Sequence, residues 1–213
     1  MRTGKEKTLW DQVFLLNLFT CSHEPLDNLK IQKITFLSEI EGRNSNLATA
    51  NYPFFKFTFG PYSKTLANTV RKLEVFKFID PEFRKLTKRG EYVLEFVNEF
   101  VKSSPKAEES LKILQAMCDQ YRDIKSSSLV DVVYGIKVSV VGMSGNIMSV
   151  SEIPMCVDII VPEEEKLETV IPFPEDILND LATEFSLRPD DVDANKPENV
   201  AFAKDAMERA LAS

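Results

Sequence analysis

Groups that do acid–base, nucleophilic or metal chemistry are few in this sequence, and no spacing gathers them. The single histidine, His23, stands beside Glu24 and Pro25, the setting of a solvated helix end rather than of a ligand or general base. Cys21, Cys118 and Cys156 are far apart, without the Cys-x-x-Cys or His-x-Cys company of a metal site. An odd number with no pairing pattern fits reduced thiols in a reducing compartment. Glu163-Glu164-Glu165 are adjacent carboxylates that repel and project to different sides, unlike a pair held across a cleft. Ser144, in Gly142-Met143-Ser144-Gly145, lacks the Gly-x-Ser-x-Gly spacing of a nucleophile elbow. Asp191-Val192-Asp193-Ala194-Asn195 begins like a calcium loop, but Lys196 stands where glycine is required and Phe202 where the bidentate glutamate is. Only 7 glycines are present, and no Gly-x-x-x-x-Gly-Lys-Ser/Thr cradle for phosphates. The expectation is a non-enzymatic chain without cofactor or metal.

What the sequence does carry is cations and aromatic rings. Lys64, Arg71, Lys72, Lys77, Arg84 and Lys85, followed by Lys88 and Arg89, are the residue types that meet phosphates; they serve equally as a solvated face. Tyr52-Pro53-Phe54-Phe55-Lys56-Phe57-Thr58-Phe59 concentrates rings in one short run. Alternation at Phe55, Phe57 and Phe59 suits a strand with one buried face that closes a helical core. On that reading Phe57 is buried and Phe57→Ala costs about 3–5 kcal/mol. The other readings are a stacking platform for bases or, if Phe54 and Tyr62 are exposed, a protein-binding hot spot.

The elements that must position these groups follow from periodicity. Leu9, Val13, Leu16 and Phe19 predict a helix over 8–22, ended by Pro25. Asp27 caps a second, to about Glu41, with Leu29, Ile31, Ile34, Phe36, Leu37 and Ile40 on its apolar face. Gly60-Pro61 breaks the aromatic strand, and Ser63 caps a helix to Phe78. Two short runs around Asp80-Pro81-Glu82 read as a hairpin, and Thr87 caps a helix over 91–102. Ser103-Ser104-Pro105-Lys106 reads as a linker before helices over 108–125 and 126–135. Beyond Gly135 the pattern changes to short strands (136–140, 147–150, 155–161) and two amphipathic helices, 175–186 and 197–211. Their stripes (Ile177, Leu178, Leu181 and Phe185 in the first) must either fold back on 106–161 or dock on a partner. The fold class is therefore α+β, mainly α: a winged helix-turn-helix-like N-terminal core with added helices over 8–135, and a small β-containing acidic part over 136–213. In DNA-binding proteins of this architecture the helix before the hairpin enters the major groove.

Ile31-Gln32-Lys33-Ile34 with Phe36-Leu37, then Phe54-Phe55-Lys56-Phe57-Thr58-Phe59-Gly60-Pro61-Tyr62-Ser63, resembles the paired signature of YwgA-like proteins and the wider Panacea (SocA-like) domain family. Leu86-Thr87-Lys88-Arg89-Gly90 resembles the Leu-Thr-x-x-Gly that closes the wing in the YwgA-like branch. The resemblance spans residues 8–135. It departs at Phe57, where the Panacea pattern usually has Trp, and Gly-Pro-Tyr-Ser is closer to the YwgA-like branch. The resemblance implies binding: Panacea-type domains resemble neutralising modules of toxin–antitoxin pairs, and SocA-like proteins act as adaptors. Gln32, Lys33, Phe54, Phe57, Gly60, Pro61, Tyr62 and Ser63 would then be signature residues with structural roles.

Composition bounds the rest. Of 213 residues, 44% are hydrophobic and 10% aromatic, enough for a core and against global disorder. The first residues lack the apolar run of a signal peptide, and no apolar stretch could span a bilayer, so a cytoplasmic protein without membrane contact is expected. The net charge of −7 conceals a split: residues 1–130 carry 20 Lys/Arg against 16 Asp/Glu, and residues 131–213 carry 6 against 17. An acidic half repels phosphate and would steer in a basic protein, such as a cognate toxin. A protein partner of antitoxin or adaptor type is therefore expected. The alternative is a DNA-binding transcriptional regulator using helix 63–78 and the wing at 80–87, with Lys64, Arg71, Lys72, Lys77, Arg84 and Lys85 in contact.

Overall fold

The computed structural model describes residues 4–21, 25–140, 147–161 and 173–185. His23, Ser144, Glu163-Glu164-Glu165, the calcium-like run from Asp191 and the helix expected over 197–211 lie outside the described residues. The elements run α1 (Gly4–Thr20), α2 (Asn28–Asn44), β1 (Phe54–Phe57), β2 (Gly60–Tyr62), α3 (Lys64–Val75), α4 (Lys88–Val101), α5 (Pro105–Tyr121), α6 (Ser126–Gly135), β3 (Lys137–Ser139), β4 (Ile147–Ser149), β5 (Asp158–Ile160) and α7 (Glu175–Glu184). The chain is α+β and mainly α. No helix among the described residues is long and apolar enough to cross a membrane.

Helix starts fall where the sequence supplies caps. Asp27 accepts the Lys30 amide at 2.7 Å, Ser63 the Leu66 amide at 3.2 Å and Thr87 the Gly90 amide at 3.2 Å. Each satisfies one donor that a helix N-terminus leaves without an intrahelical acceptor. The same device overturns the linker expected at Ser103–Lys106. Ser104 is the buried cap of α5, and Pro105 occupies its first turn, where a missing N–H costs nothing. The connection is a tight turn.

The middle of α2, Ile31 to Glu39, is buried on every side. Its apolar residues pack as expected, but Gln32, Lys33, Ser38 and Glu39 are buried with them, and buried polar groups need partners. Ser38 donates to the Ile34 carbonyl at 2.9 Å, and Glu39 accepts the Tyr52 amide at 3.0 Å. Gln32 and Lys33 face the candidate site.

The main sheet has the order β2-β1-β5, antiparallel throughout. Gly60-Pro61 does not break the strand, as expected from sequence, but returns it: Phe55 pairs with Tyr62, Lys56 with Pro61 and Phe57 with Gly60. Thr58 and Phe59 make the turn, and Gly60, at φ +88°, takes the left-handed position beside it. Pro61 sits on the edge strand, where no ladder donor is lost.

Beyond Gly135, Val138, Val150, Ile159, Ile160, Ile177, Leu178 and Leu181 share one apolar cluster with α1–α6. The first acidic amphipathic helix, α7, therefore folds back, mainly onto α1 and not mainly onto 106–161 as expected. Arg89 determines this docking. Its guanidinium forms an ion pair with Glu184 at 2.8 Å, donates to the Glu184 and Phe76 carbonyls at 2.9 Å, and lies 4.4 Å from the Phe78 ring centre. Phe185 meets the same ring at 4.7 Å.

The hairpin expected over 80–87 is reduced to one bridge, Ile79 to Leu86. Asp80 accepts the amides of Glu82 and Phe83 at 2.9 Å and donates its own amide to the Lys85 carbonyl at 2.8 Å. So short a loop leaves no length for a ladder. Gly90 closes it: a Cβ there would stand 2.2 Å from the Phe78 carbonyl oxygen. Gly90→Ala is expected to lower stability by about 2 kcal/mol. Gly135→Ala, with nothing within 4 Å, should cost nothing; urea denaturation of both variants checks the contrast.

Candidate partner-binding cleft

The two faces of β1 are the reverse of the sequence expectation. Phe54 and Lys56 point inward, Phe55 is half-buried, and Phe57 and Phe59 are 45% and 61% exposed. Phe54 meets Phe36 of α2 edge-on at 5.4 Å. Lys56 lies under Tyr134 of α6, its ammonium 3.9 Å from the ring centre, an interaction that lets a buried lysine face an aromatic wall. Tyr134 also donates from its hydroxyl to the Thr58 carbonyl at 3.1 Å, bracing the turn. With that phase fixed, Phe55, Phe57 and Tyr62 form an aromatic ridge on the outer face, ring centres 5.6–6.0 Å apart. Phe57→Ala is accordingly expected to cost below about 1 kcal/mol, as read by thermal unfolding, and not the 3–5 kcal/mol of a core ring.

The Gln-Lys and Gly-Pro-Tyr-Ser motifs meet in space. Gln32 donates from Nε2 to the Ser63 carbonyl at 3.0 Å and accepts the Ser63 amide on Oε1 at 2.8 Å. Lys33 donates from Nζ to the Pro61 carbonyl at 2.7 Å. One helix turn thereby reads the backbone of β2 and sets the start of α3. Burial, with the Lys56 charge nearby, brings the Lys33 ammonium down to about 8. Burial also lowers that of Lys56.

Between α2, the β1–β2 turn and α3 opens a cleft of about 470 Å³. Gln32, Lys33, Phe57, Gly60 and Tyr62 line it, and so do Arg71 and Arg84 of the basic set, with Leu29, Ile31 and Val70 among the apolar lining. Comparison with family models, curated proteins and solved structures gave no match to this chain. The cleft must therefore be interpreted from its own chemistry.

Of the remaining signature residues, Phe54 is core, and Pro61 and Ser63 are buried backbone contacts. The basic residues do not form one group. Lys64, Arg71, Lys72, Lys77 and Lys85 are exposed. Arg84 is held against Glu74 of α3 at 2.8 Å, and Arg89, counted by sequence among phosphate-facing cations, is buried against α7. Cys21 and Cys118, far apart in sequence, come together as buried free thiols, the first donating to the Asn17 carbonyl and the Gln115 side-chain oxygen at 3.2 Å. No group of three or more His, Cys, Asp or Glu is placed to hold a metal among the described residues. Sequence reasoning missed Lys56, Tyr134, Glu74 and the outward Phe59. The one available signal was a strand apolar on both faces, one of which had to be left over.

Proposed function

We propose that this chain is a non-enzymatic protein-interaction module of antitoxin or adaptor type, with α1–α4 and the 78–87 loop forming a winged-helix-like core. It grips its partner through the aromatic ridge and the cleft beside it. The observation that carries this reading is the joint exposure of Phe57 and Phe59 at the rim of a cleft. Clustered large rings left in water mark interaction surfaces, and aromatic residues in pockets dominate interface energies. The resemblance to the YwgA-like and Panacea families supports the same class of function, since the matching motifs, Gln32-Lys33 and Gly60-Pro61-Tyr62-Ser63, build this site.

A second reading is a DNA-binding regulator. It is favoured by Lys64, Arg71 and Lys72, exposed on the outward side of α3 and in no ion pair among the described residues. It is weakened by the 78–87 loop, where Arg84 is already paired with Glu74.

A photo-crosslinking phenylalanine analogue at Phe59 separates the two. Protein adducts are expected, abolished by Phe57→Ala and retained in a Lys64→Glu/Lys72→Glu variant, whose altered residues lie off the cleft. Nucleic-acid adducts, with nanomolar sequence-specific binding at physiological salt that the double charge reversal abolishes, would select the regulator.

A further inference from the structure

We propose that the cleft receives a partner segment bearing one carboxylate among apolar side chains, and that Lys33 on its floor is the cation that takes the carboxylate. This rests on the protein-binding reading and names the chemistry of the partner.

The argument starts from a buried charge without a counter-charge. Lys33 is 2% exposed, and of its three N–H donors one goes to Pro61. No carboxylate lies within ion-pair distance of Lys33 or Lys56 among the described residues. Two buried ammonium groups, close enough to repel each other, thus lie side by side with no carboxylate paired to either. Buried charges are ordinarily paired, because desolvation without a partner is costly. With its ammonium at about 8, Lys33 is still charged at neutral pH.

Lys33 contributes to the wall of the cleft, and its ammonium lies just behind that wall. The neighbouring residue is Gly60, where a Cβ would stand 3.6 Å from Nζ. Gln32 beside it is committed to both backbone groups of Ser63, so Lys33 is the donor left for a ligand.

The walls define the ligand class. Leu29, Ile31, Val70, Phe57 and Tyr62 present apolar surface, which suits a hydrophobic side chain beside the carboxylate. Glu74 is on the same wall, neutralised by Arg84, which leaves Lys33 and Arg71 as the cations for a ligand. A phosphodiester chain brings one charge per nucleotide and would need more cations than these.

The test follows the Lys33 side chain by NMR in the full chain carrying ¹³Cε-labelled lysine, with 3-phenylpropanoate as probe and 3-phenylpropanamide as its neutral match. The acid is expected to bind on the order of tenfold more tightly than the amide and to raise the Lys33 titration midpoint by about one pH unit. Lys33→Met, checked for folding by circular dichroism, should abolish the preference for acid over amide. Equal binding of acid and amide, or an unmoved Lys33 signal at saturation, overturns the proposal, and both are read on the unmutated protein. Oligothymidylate moving the Lys33 signal at lower concentration than the acid would overturn it in favour of phosphate. A protein adduct at Phe59 with a silent Lys33 leaves the protein-binding reading standing and removes this one. A responsive Lys33 with no protein adduct removes the protein-binding reading and, with it, the partner segment, leaving Lys33 only as a site for a free carboxylate.

Discussion

A chain truncated after Val170 is expected to unfold or aggregate, not to persist as a trimmed domain. The truncation removes α7, whose Ile177, Leu178, Leu181 and Phe185 are each no more than 6% exposed against the rest of the core. At about 1.5–3 kcal/mol for each buried apolar side chain, the loss is about 6–12 kcal/mol. That bookkeeping is an upper bound, yet it is of the same order as the whole stability of an ordinary domain, about 5–15 kcal/mol. The truncation also strips Arg89 of the Glu184 carboxylate and carbonyl and uncovers Phe78. Thermal unfolding followed by circular dichroism, with size-exclusion chromatography, reads the result. A truncated chain that kept its melting temperature while losing partner binding would make α7 a recognition element instead. Arg89→Met is the milder companion: it keeps the tail and removes the ion pair and the carbonyl contacts, so it should weaken α7 docking without abolishing the fold.

Helix positions were legible because caps and apolar spacing are local. Asp27, Ser63 and Thr87 each open the helix that the sequence assigns to them. What was not legible depended on tertiary choice between near-equal local options. In β1 both pleat phases look apolar: Phe54 alone on one, with Lys56, and Phe55, Phe57 and Phe59 on the other. Hydrophobicity favours burying the second set. The fold buries the first, because Phe36 of α2 receives Phe54 and the Tyr134 ring of α6 accepts the Lys56 ammonium. No local pattern announces a lysine that packs under a tyrosine 78 residues away in sequence. The cost of that inversion is exposed rings, which is why the candidate site appears where sequence reasoning placed core. The Gln32-Lys33 and Gly60-to-Ser63 motifs were legible as a pair, but not what they do: the side chains of one bind the backbone of the other. The apolar stripe of α7 was legible and demanded burial, but not the surface that receives it: spacing within 175–186 says nothing of α1, far earlier in the chain, as its main neighbour.

Folding stability is expected to pass through a minimum between about pH 7 and pH 8, and Glu39→Gln should remove the acidic side of that trough. Glu39 is 1% exposed in the middle of α2. Burial pushes its carboxyl up from 4.5 to about 7, against the Tyr52 amide and the Arg43 guanidinium, which favour the anion. Between those values the native state holds a proton that the unfolded state has released, so stability is fully present below about pH 4.5 and is lost as pH rises to about 7. The whole span corresponds to roughly 3 kcal/mol. Lys33 acts on the other side with the opposite sign. Its native value of about 8 lies below the ordinary 10.5, so the unfolded state binds the extra proton and stability rises with pH across that interval. Lys56, also lowered by burial, adds in the same direction. Urea denaturation from pH 4.5 to pH 10 checks both limbs. Glu39→Gln keeps an oxygen for the Tyr52 amide and cannot ionise. It should match the unmutated protein near pH 4.5 and exceed it by roughly 3 kcal/mol at pH 8. Lys33→Met should leave the acidic limb in place and flatten the alkaline one. An unmutated protein whose stability rises from pH 4.5 to 7 would show that Glu39 is ionised in the native core, with a cation or water meeting its charge.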